Sequence, residues 1–215
     1  MLSSCAPKIV ERPAPARITL NDLLARLNTI QSVEAVLAID YEKGDSVMSG
    51  DGFLNVSDDS LNLRIYYLGF LAGEVNEEHG VVKSKPKLDK NKSAILIDGL
   101  KNSFLWWNIK DYTVQERDDT YVLKNYSRTI VLSKETLLPV QQTIELDNGN
   151  QLNIHYEEPV KNIPKSEIKA PQPQQDTLVP WYQSRLTIQL KKHLVKVKVK
   201  SYTIAKAKDP EVRSQ

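Results

Sequence analysis

The sequence has one cysteine, at position 5, in 215 residues. No internal disulfide can form, and no thiol cluster with metal spacing exists. It also lacks any apolar run near the ~20 residues that a membrane-crossing helix requires; the longest, such as 35–39 and 104–107, are far shorter. Excess charge of either sign is missing too. With 29 Lys and Arg against 27 Asp and Glu, the formal net charge is +2, too little for the broad positive field with which nucleic-acid binders neutralise phosphates. What remains is 26% charged and 40% hydrophobic residues. That is the mixture of a water-soluble globular chain and excludes disorder throughout, and the length suits one good-sized domain or two small ones.

Catalytic signatures are equally scarce. His79, His155 and His193 lie far apart with no second His or carboxylate at ligand spacing. His155, beside Tyr156, reads as a candidate buried polar residue. There is no Gly-x-Ser-x-Gly, no phosphate-cradling glycine loop and no dinucleotide fingerprint. The acid pairs Asp58-Asp59, Glu77-Glu78 and Asp118-Asp119 fall at predicted turns, where solvated carboxylates are the norm. The expectation is a non-enzymatic protein with no catalytic residue, no metal and no cofactor.

The chain opens Met1-Leu2-Ser3-Ser4-Cys5-Ala6, and Leu, two small residues and Cys look like the site at which a bacterial lipoprotein precursor is cut and lipidated on Cys. The charged start and apolar h-region that should precede it are absent, which implies a trimmed signal peptide or a start placed too late. The alternative is a chance cysteine in a frayed tail. Residues 1–17 carry Pro7, Pro13 and Pro15 with mixed charge and no periodicity, an extended tether that cannot pack into a core. A tether between Cys5 and a folded domain favours the lipidated reading, with several acyl chains holding stably where one is marginal.

Thr19-Leu20-Asn21-Asp22 predicts a capping box opening a helix over about 19–28, with Leu20, Leu23, Leu24 and Leu27 on one face. The period then changes to two. Val33, Ala35, Leu37, Ile39 and Tyr41 alternate with Glu34, Val36, Ala38 and Asp40, a strand that tight turns extend into a meander. A second helix is predicted over 93–107 from Leu96, Ile97, Leu100, Phe104 and Trp107. Strands resume from 112 to 156. Ile144 and Leu146 share parity with Leu152 and Ile154, so the Asp147-Asn148-Gly149 turn must be a three-residue loop with Gly149 left-handed. A proline- and glutamine-rich connector follows over 159–180, then a last hairpin in which Val195, Val197 and Val199 alternate with Lys196, Lys198 and Lys200. The expected architecture is mainly β (α+β), an antiparallel sheet of about ten or eleven strands with two helices. It forms a single domain over 18–208, flanked by the 1–17 tether and a 209–215 tail.

Several phrases then carry a resemblance: Ser32-Val33-Glu34-Ala35 after the first helix, Gly50-Asp51-Gly52-Phe53-Leu54, the junction Tyr66-Tyr67-Leu68-Gly69-Phe70-Leu71-Ala72-Gly73, and the 138–156 hairpin turning at Asp147, Asn148 and Gly149. From 19 to 204 the chain resembles the LolA/LolB family of periplasmic lipoprotein carriers and receptors, and more closely its lipoprotein relatives. It departs from them in the long connector. The resemblance implies a strongly curved, unclosed half-barrel whose apolar concave face is covered by helices and receives acyl chains. It implies a lipid-anchored protein of the bacterial envelope, on the periplasmic face of the outer membrane, that binds lipid or lipoprotein and transfers it outward. Ala6 after Cys5 fits outer-membrane sorting. The implied partners are acyl chains, the membrane surface and periplasmic carrier or envelope-complex proteins. The rival is a structural adaptor lipoprotein with a filled core and no cargo.

Three surfaces follow as candidates. Leu68, Phe70 and Leu71 surround Gly69 at a turn, where the resemblance implies a membrane-contacting loop and the plainer reading is a bend that folds them back into the core. Leu96, Leu100, Phe104 and Trp107 read either as a cavity lid or as an ordinary amphipathic helix packed on a sheet. Lys196, Lys198 and Lys200 read first as charges that keep an exposed edge strand from pairing, and otherwise as a patch for anionic headgroups.

Overall fold

Thr19 and Asp22 begin the folded part as their spacing predicts. In a computed structural model of the chain, which describes residues 18–161 and 181–206, the Thr19 hydroxyl accepts from the Asp22 N–H and the Asp22 carboxylate accepts from the Thr19 N–H. This capping box opens helix α1 (Leu20–Leu27), which buries Leu20, Leu24 and Leu27. Cys5, the tether, most of the connector and the 209–215 tail lie outside the described residues.

Alternation then builds β1 (Ile30–Lys43), β2 (Ser46–Ser57), β3 (Ser60–Tyr67), β4 (Phe70–Glu78) and β5 (Val81–Lys85). A helical run follows, made of α2 (Lys90–Ala94), a π-helical turn (Ile95–Gly99) and α3 (Leu100–Phe104). The second half comprises β6 (Thr113–Glu116), β7 (Thr120–Lys124), β8 (Arg128–Ser133), β9 (Pro139–Glu145), β10 (Gln151–Lys161), β11 (Trp181–Leu190) and β12 (His193–Lys206). All the strands join one antiparallel 12-stranded sheet in the order β5-β4-β3-β2-β1-β12-β11-β10-β9-β8-β7-β6. The pairing of β12 with β1 fuses the two halves along a long central seam, and among the described residues β5 and β6 are the outermost strands. The sheet is an open, curved half-barrel.

One face of the sheet is mainly apolar. Val33, Ala35, Leu37 and Ile39 of β1 share it with Leu54 and Val56 of β2, Leu61 and Leu63 of β3, and Val195, Val197 and Val199 of β12. The helical run lies on this face. Gly99 makes the contact close, since a Cβ there would stand 2.9 Å from Ile188 Cγ2.

The structure differs from the sequence expectations in four places. Among the described residues there are twelve strands, above the expected ten or eleven; β6, with four exposed residues, has no inside–outside alternation to read. The helical run starts at Lys90 and ends at Phe104, because Asp89 rather than Ser93 provides the cap, accepting from the Lys92 N–H at 2.9 Å. β10 continues through Pro159 to Lys161, pairing with β11. Its pairing with β9 stops at His155–Gln141, so Pro159 sits where one side of the strand needs no donor. Finally, β12 is central, so its lysines protect no edge. The β9–β10 loop is the three-residue turn that parity requires: Leu146 N–H donates to the Asn150 carbonyl at 2.9 Å, and Gly149 has φ +73°.

Candidate functional site

The helical run is fastened to the sheet at both ends. At its start, the buried His193 ring lies 2.6 Å from the Tyr41 hydroxyl through Nδ1 and 3.5 Å from the Asn91 amide through Nε2. Burial, then the neighbouring Lys43 charge, pushes the His193 pKa down despite the opposing pull of Asp89, so the ring is neutral at pH 7. At its end, the buried Arg128 guanidinium donates to the carbonyls of Asn102, Trp106 and Asn108 and to Gln142 Oε1, over 2.8 to 3.1 Å. Those carbonyls include the C-terminal ones that a helix leaves without partners. Burial lowers the Arg128 pKa to about 10, still charged at neutrality. Between the ends, Lys101 of α3 donates to the buried Glu77 of β4 at 2.8 Å, and Ser103 bonds the Gly99 carbonyl at 2.6 Å.

Leu96, Leu100, Phe104 and Trp107 come together here, and all four are buried in the shared core. Phe104 stacks on Tyr202 at 6.4 Å, which stacks on Tyr182 at 4.9 Å. Trp106 and Trp107 lie beyond α3 in an edge-to-face pair at 5.8 Å. His155 is exposed, contrary to expectation, because Leu152, Ile154 and Tyr156 take the inward positions of β10; the buried histidine is His193. Glu77 is not a turn carboxylate but an inward residue of β4. Burial raises its pKa, and the Lys101 and Gly80 hydrogen bonds outweigh that, leaving it lowered overall.

The β3–β4 turn is the opposite case. Tyr67 pairs with Phe70, leaving a two-residue turn of Leu68 at φ +50° and Gly69 at φ +82°, the type I′ geometry of tight hairpins. Leu68 and Phe70 are each 80% exposed, and Tyr67 and Leu71 are exposed beside them. None folds back into the core. β2 runs past this turn, since Asp51 is already opposite Tyr66, and its exposed Val47 and Met48 lie further toward the same end. The sequence reading missed these two; their place beyond the partner strand follows only from register. Gly50 permits the close crossing, since a Cβ would fall 2.7 Å from the Tyr66 carbonyl oxygen.

Lys196, Lys198 and Lys200 lie on the outer face of β12. Lys196 pairs with Glu42 at 2.7 Å and Lys200 with Asp51 at 2.5 Å, so the patch is largely neutralised by neighbouring strands. Among the described residues no three His, Cys, Asp or Glu side chains are grouped to hold a metal, and no helix is long and apolar enough to cross a membrane.

No protein-family profile matches the sequence, and no curated protein matches it. Solved structures do match in shape. A LolA superfamily protein from Nitrosomonas europaea is 11% identical, with a TM-score of 0.53 over 89% of this chain and 96% of its own. A domain assigned to an outer membrane lipoprotein-sorting protein from Vibrio parahaemolyticus is 10% identical, with a TM-score of 0.51 over 88% of this chain and 92% of its own. At such identities the likeness concerns the fold alone. Together with the open sheet and the helical run across its inner face, it establishes that this chain has the LolA/LolB-like fold.

Proposed function

We propose that this protein is a non-enzymatic bacterial envelope lipoprotein, anchored through lipidated Cys5 at the periplasmic face of the outer membrane, that binds acyl chains of lipid or lipoprotein and passes them toward that membrane. The observation that carries the reading is the largely apolar inner face of an open sheet, covered among the described residues by α1 and one interrupted helical run. Acyl chains enter by displacing that run, and Leu96, Leu100, Phe104 and Trp107 then line their path. Each methylene taken from water contributes about 0.8 kcal/mol. Leu68, Phe70 and Leu71 form the loop that meets the membrane during transfer. The fold is shared with a LolA superfamily protein and a lipoprotein-sorting domain, which supports this direction.

The adaptor reading has its own observation in the tight seam, where Leu100 is fully buried and Gly99 abuts Ile188. Native mass spectrometry with lipid extraction of protein purified from membranes separates the two. Bound acyl species support the carrier; a consistently cargo-free protein that stays with envelope partners supports the adaptor and overturns the carrier.

A further inference from the structure

In an antiparallel meander, successive turns alternate between two ends of the sheet, and here the two ends differ in charge. The β1–β2, β3–β4, β7–β8, β9–β10 and β11–β12 turns, the β5–α2 link and the entry to β6 share the end that carries the exposed apolar turn; Asp147 of the β9–β10 turn and Asp111 before β6 are exposed there, in the half of the sheet that does not contain β3 and β4. Lys43 at the β1–β2 turn pairs across to His193, which places Lys191 and Lys192 of the β11–β12 turn beside it. Lys85 pairs with Glu74; Pro86 Cδ stands 3.8 Å from where a Gly73 Cβ would lie, bringing Lys87 alongside the start of β4. Lys90 opens α2, one residue from the Asn91–His193 contact. All six lysines are exposed, and none forms an ion pair among the described residues. Asp45, Asp89, Glu42 and Glu74 are acidic residues set among them; Asp89 is occupied as the α2 cap, Glu42 pairs with Lys196 and Glu74 with Arg64.

The opposite end holds the β2–β3, β4–β5, β6–β7 and β8–β9 turns. At those turns the exposed acidic residues are Asp58, Asp59, Glu78, Asp118, Asp119 and Glu135, beside Arg117 and Lys134, which is paired with Glu116. Among the described residues the turns at the two ends thus differ in the balance of charge, and the apolar turn lies at the lysine-bearing end.

We propose that this end docks on an anionic lipid bilayer, the Leu68–Phe70 turn entering between headgroups while Lys43, Lys85, Lys87, Lys90, Lys191 and Lys192 engage their negative charge. The inference rests on the membrane-contact reading of the turn and specifies its partner. Charge complementarity selects an anionic surface, and the acidic far end fixes which way the molecule faces it.

The test is co-sedimentation of the unlipidated full chain with phosphatidylcholine vesicles, with and without phosphatidylglycerol, across a salt series. The wild type is expected to prefer the anionic vesicles and to release with salt, and each tip lysine changed to Gln weakens binding roughly fivefold. The Lys191→Gln/Lys192→Gln and Lys85→Gln/Lys87→Gln pairs are surface changes whose folding circular dichroism verifies, and Lys198→Gln on the outer face serves as the unaffected control. Equal binding to both vesicle types, lost in Leu68→Glu/Phe70→Glu, overturns the charge inference and keeps the membrane contact. Anionic preference that survives Leu68→Glu/Phe70→Glu keeps the charge inference and removes insertion of the turn. Binding to neither vesicle overturns both and leaves the lysine-bearing end to an acidic protein partner.

Discussion

The seam between helical run and sheet, and the β3–β4 turn at the tip, obey opposite rules. At the seam every large apolar group is buried, and the helix-end carbonyls are gathered by one guanidinium. At the tip, Leu68 and Phe70 stand in solvent, and Leu68 adopts a backbone angle that favours glycine or asparagine. A seam residue serves stability by staying where it is. A tip residue does nothing visible for stability, so its chemistry has to be explained by what it meets. Substitutions should therefore separate the two regions by the sign of their effect on stability.

The largest effect belongs to Arg128→Met. It strips donors from four acceptors, three of them carbonyls at and beyond the end of α3. Each buried acceptor left without a partner costs about 1–3 kcal/mol, so the variant should lose about 4 kcal/mol or more in urea unfolding. A loss below about 1 kcal/mol would mean that the seam does not depend on this residue. Leu100→Ala comes next. Leu100 is fully buried, and truncation removes its apolar burial and leaves a void, together about 3 kcal/mol. A variant as stable as the wild type would show that the run already lifts readily from the sheet.

Glu77→Gln tests the seam through pH. Glu77 has a lowered pKa, so its contribution is complete above the unfolded carboxylate value near 4.5 and is lost as pH falls through the lower folded value. The Gln variant should be less stable by about 1 kcal/mol at pH 7. It should also lose part of the acid-induced fall in melting temperature seen in the wild type below pH 5. Identical acid profiles would remove the Lys101–Glu77 bond from the account of the seam.

How much of this was legible in the sequence depends on the range of the interactions. The Thr19–Asp22 cap and the three-residue turn at Gly149 are local, set by spacing of a few residues, and both stand as read. The curved open sheet was legible because alternation and the quoted phrases run along most of the chain. The place of β12 was not, since nothing within 193–206 states that it pairs with a strand some 160 residues earlier. Lysines alternating along it therefore looked like edge protection. His193 and Glu77 were overlooked for the same reason: their partners Tyr41 and Lys101 are distant in sequence. The charge separation was hidden differently. A net charge of +2 sums over the whole chain, and only sorting the turns by end gathers the lysines of the β1–β2, β11–β12 and β5–α2 segments beside the apolar turn.

The smallest effect has the sharpest sign. Leu68 holds φ +50° in a turn where neither its side chain nor any neighbour compensates the strain, since it is 80% exposed. Asparagine tolerates this left-handed geometry and is the favoured partner of glycine in type I′ turns. Leu68→Asn should therefore raise stability by about 0.5–1 kcal/mol, where every seam substitution lowers it. The same change removes one of the two most exposed apolar side chains at the turn, so vesicle binding should fall as the melting temperature rises. A variant that gains stability and loses binding shows that leucine is kept at this position at a cost to the fold. A variant that loses stability as well would place Leu68 among the residues that hold the protein together, and the distinction between tip and seam would fail there.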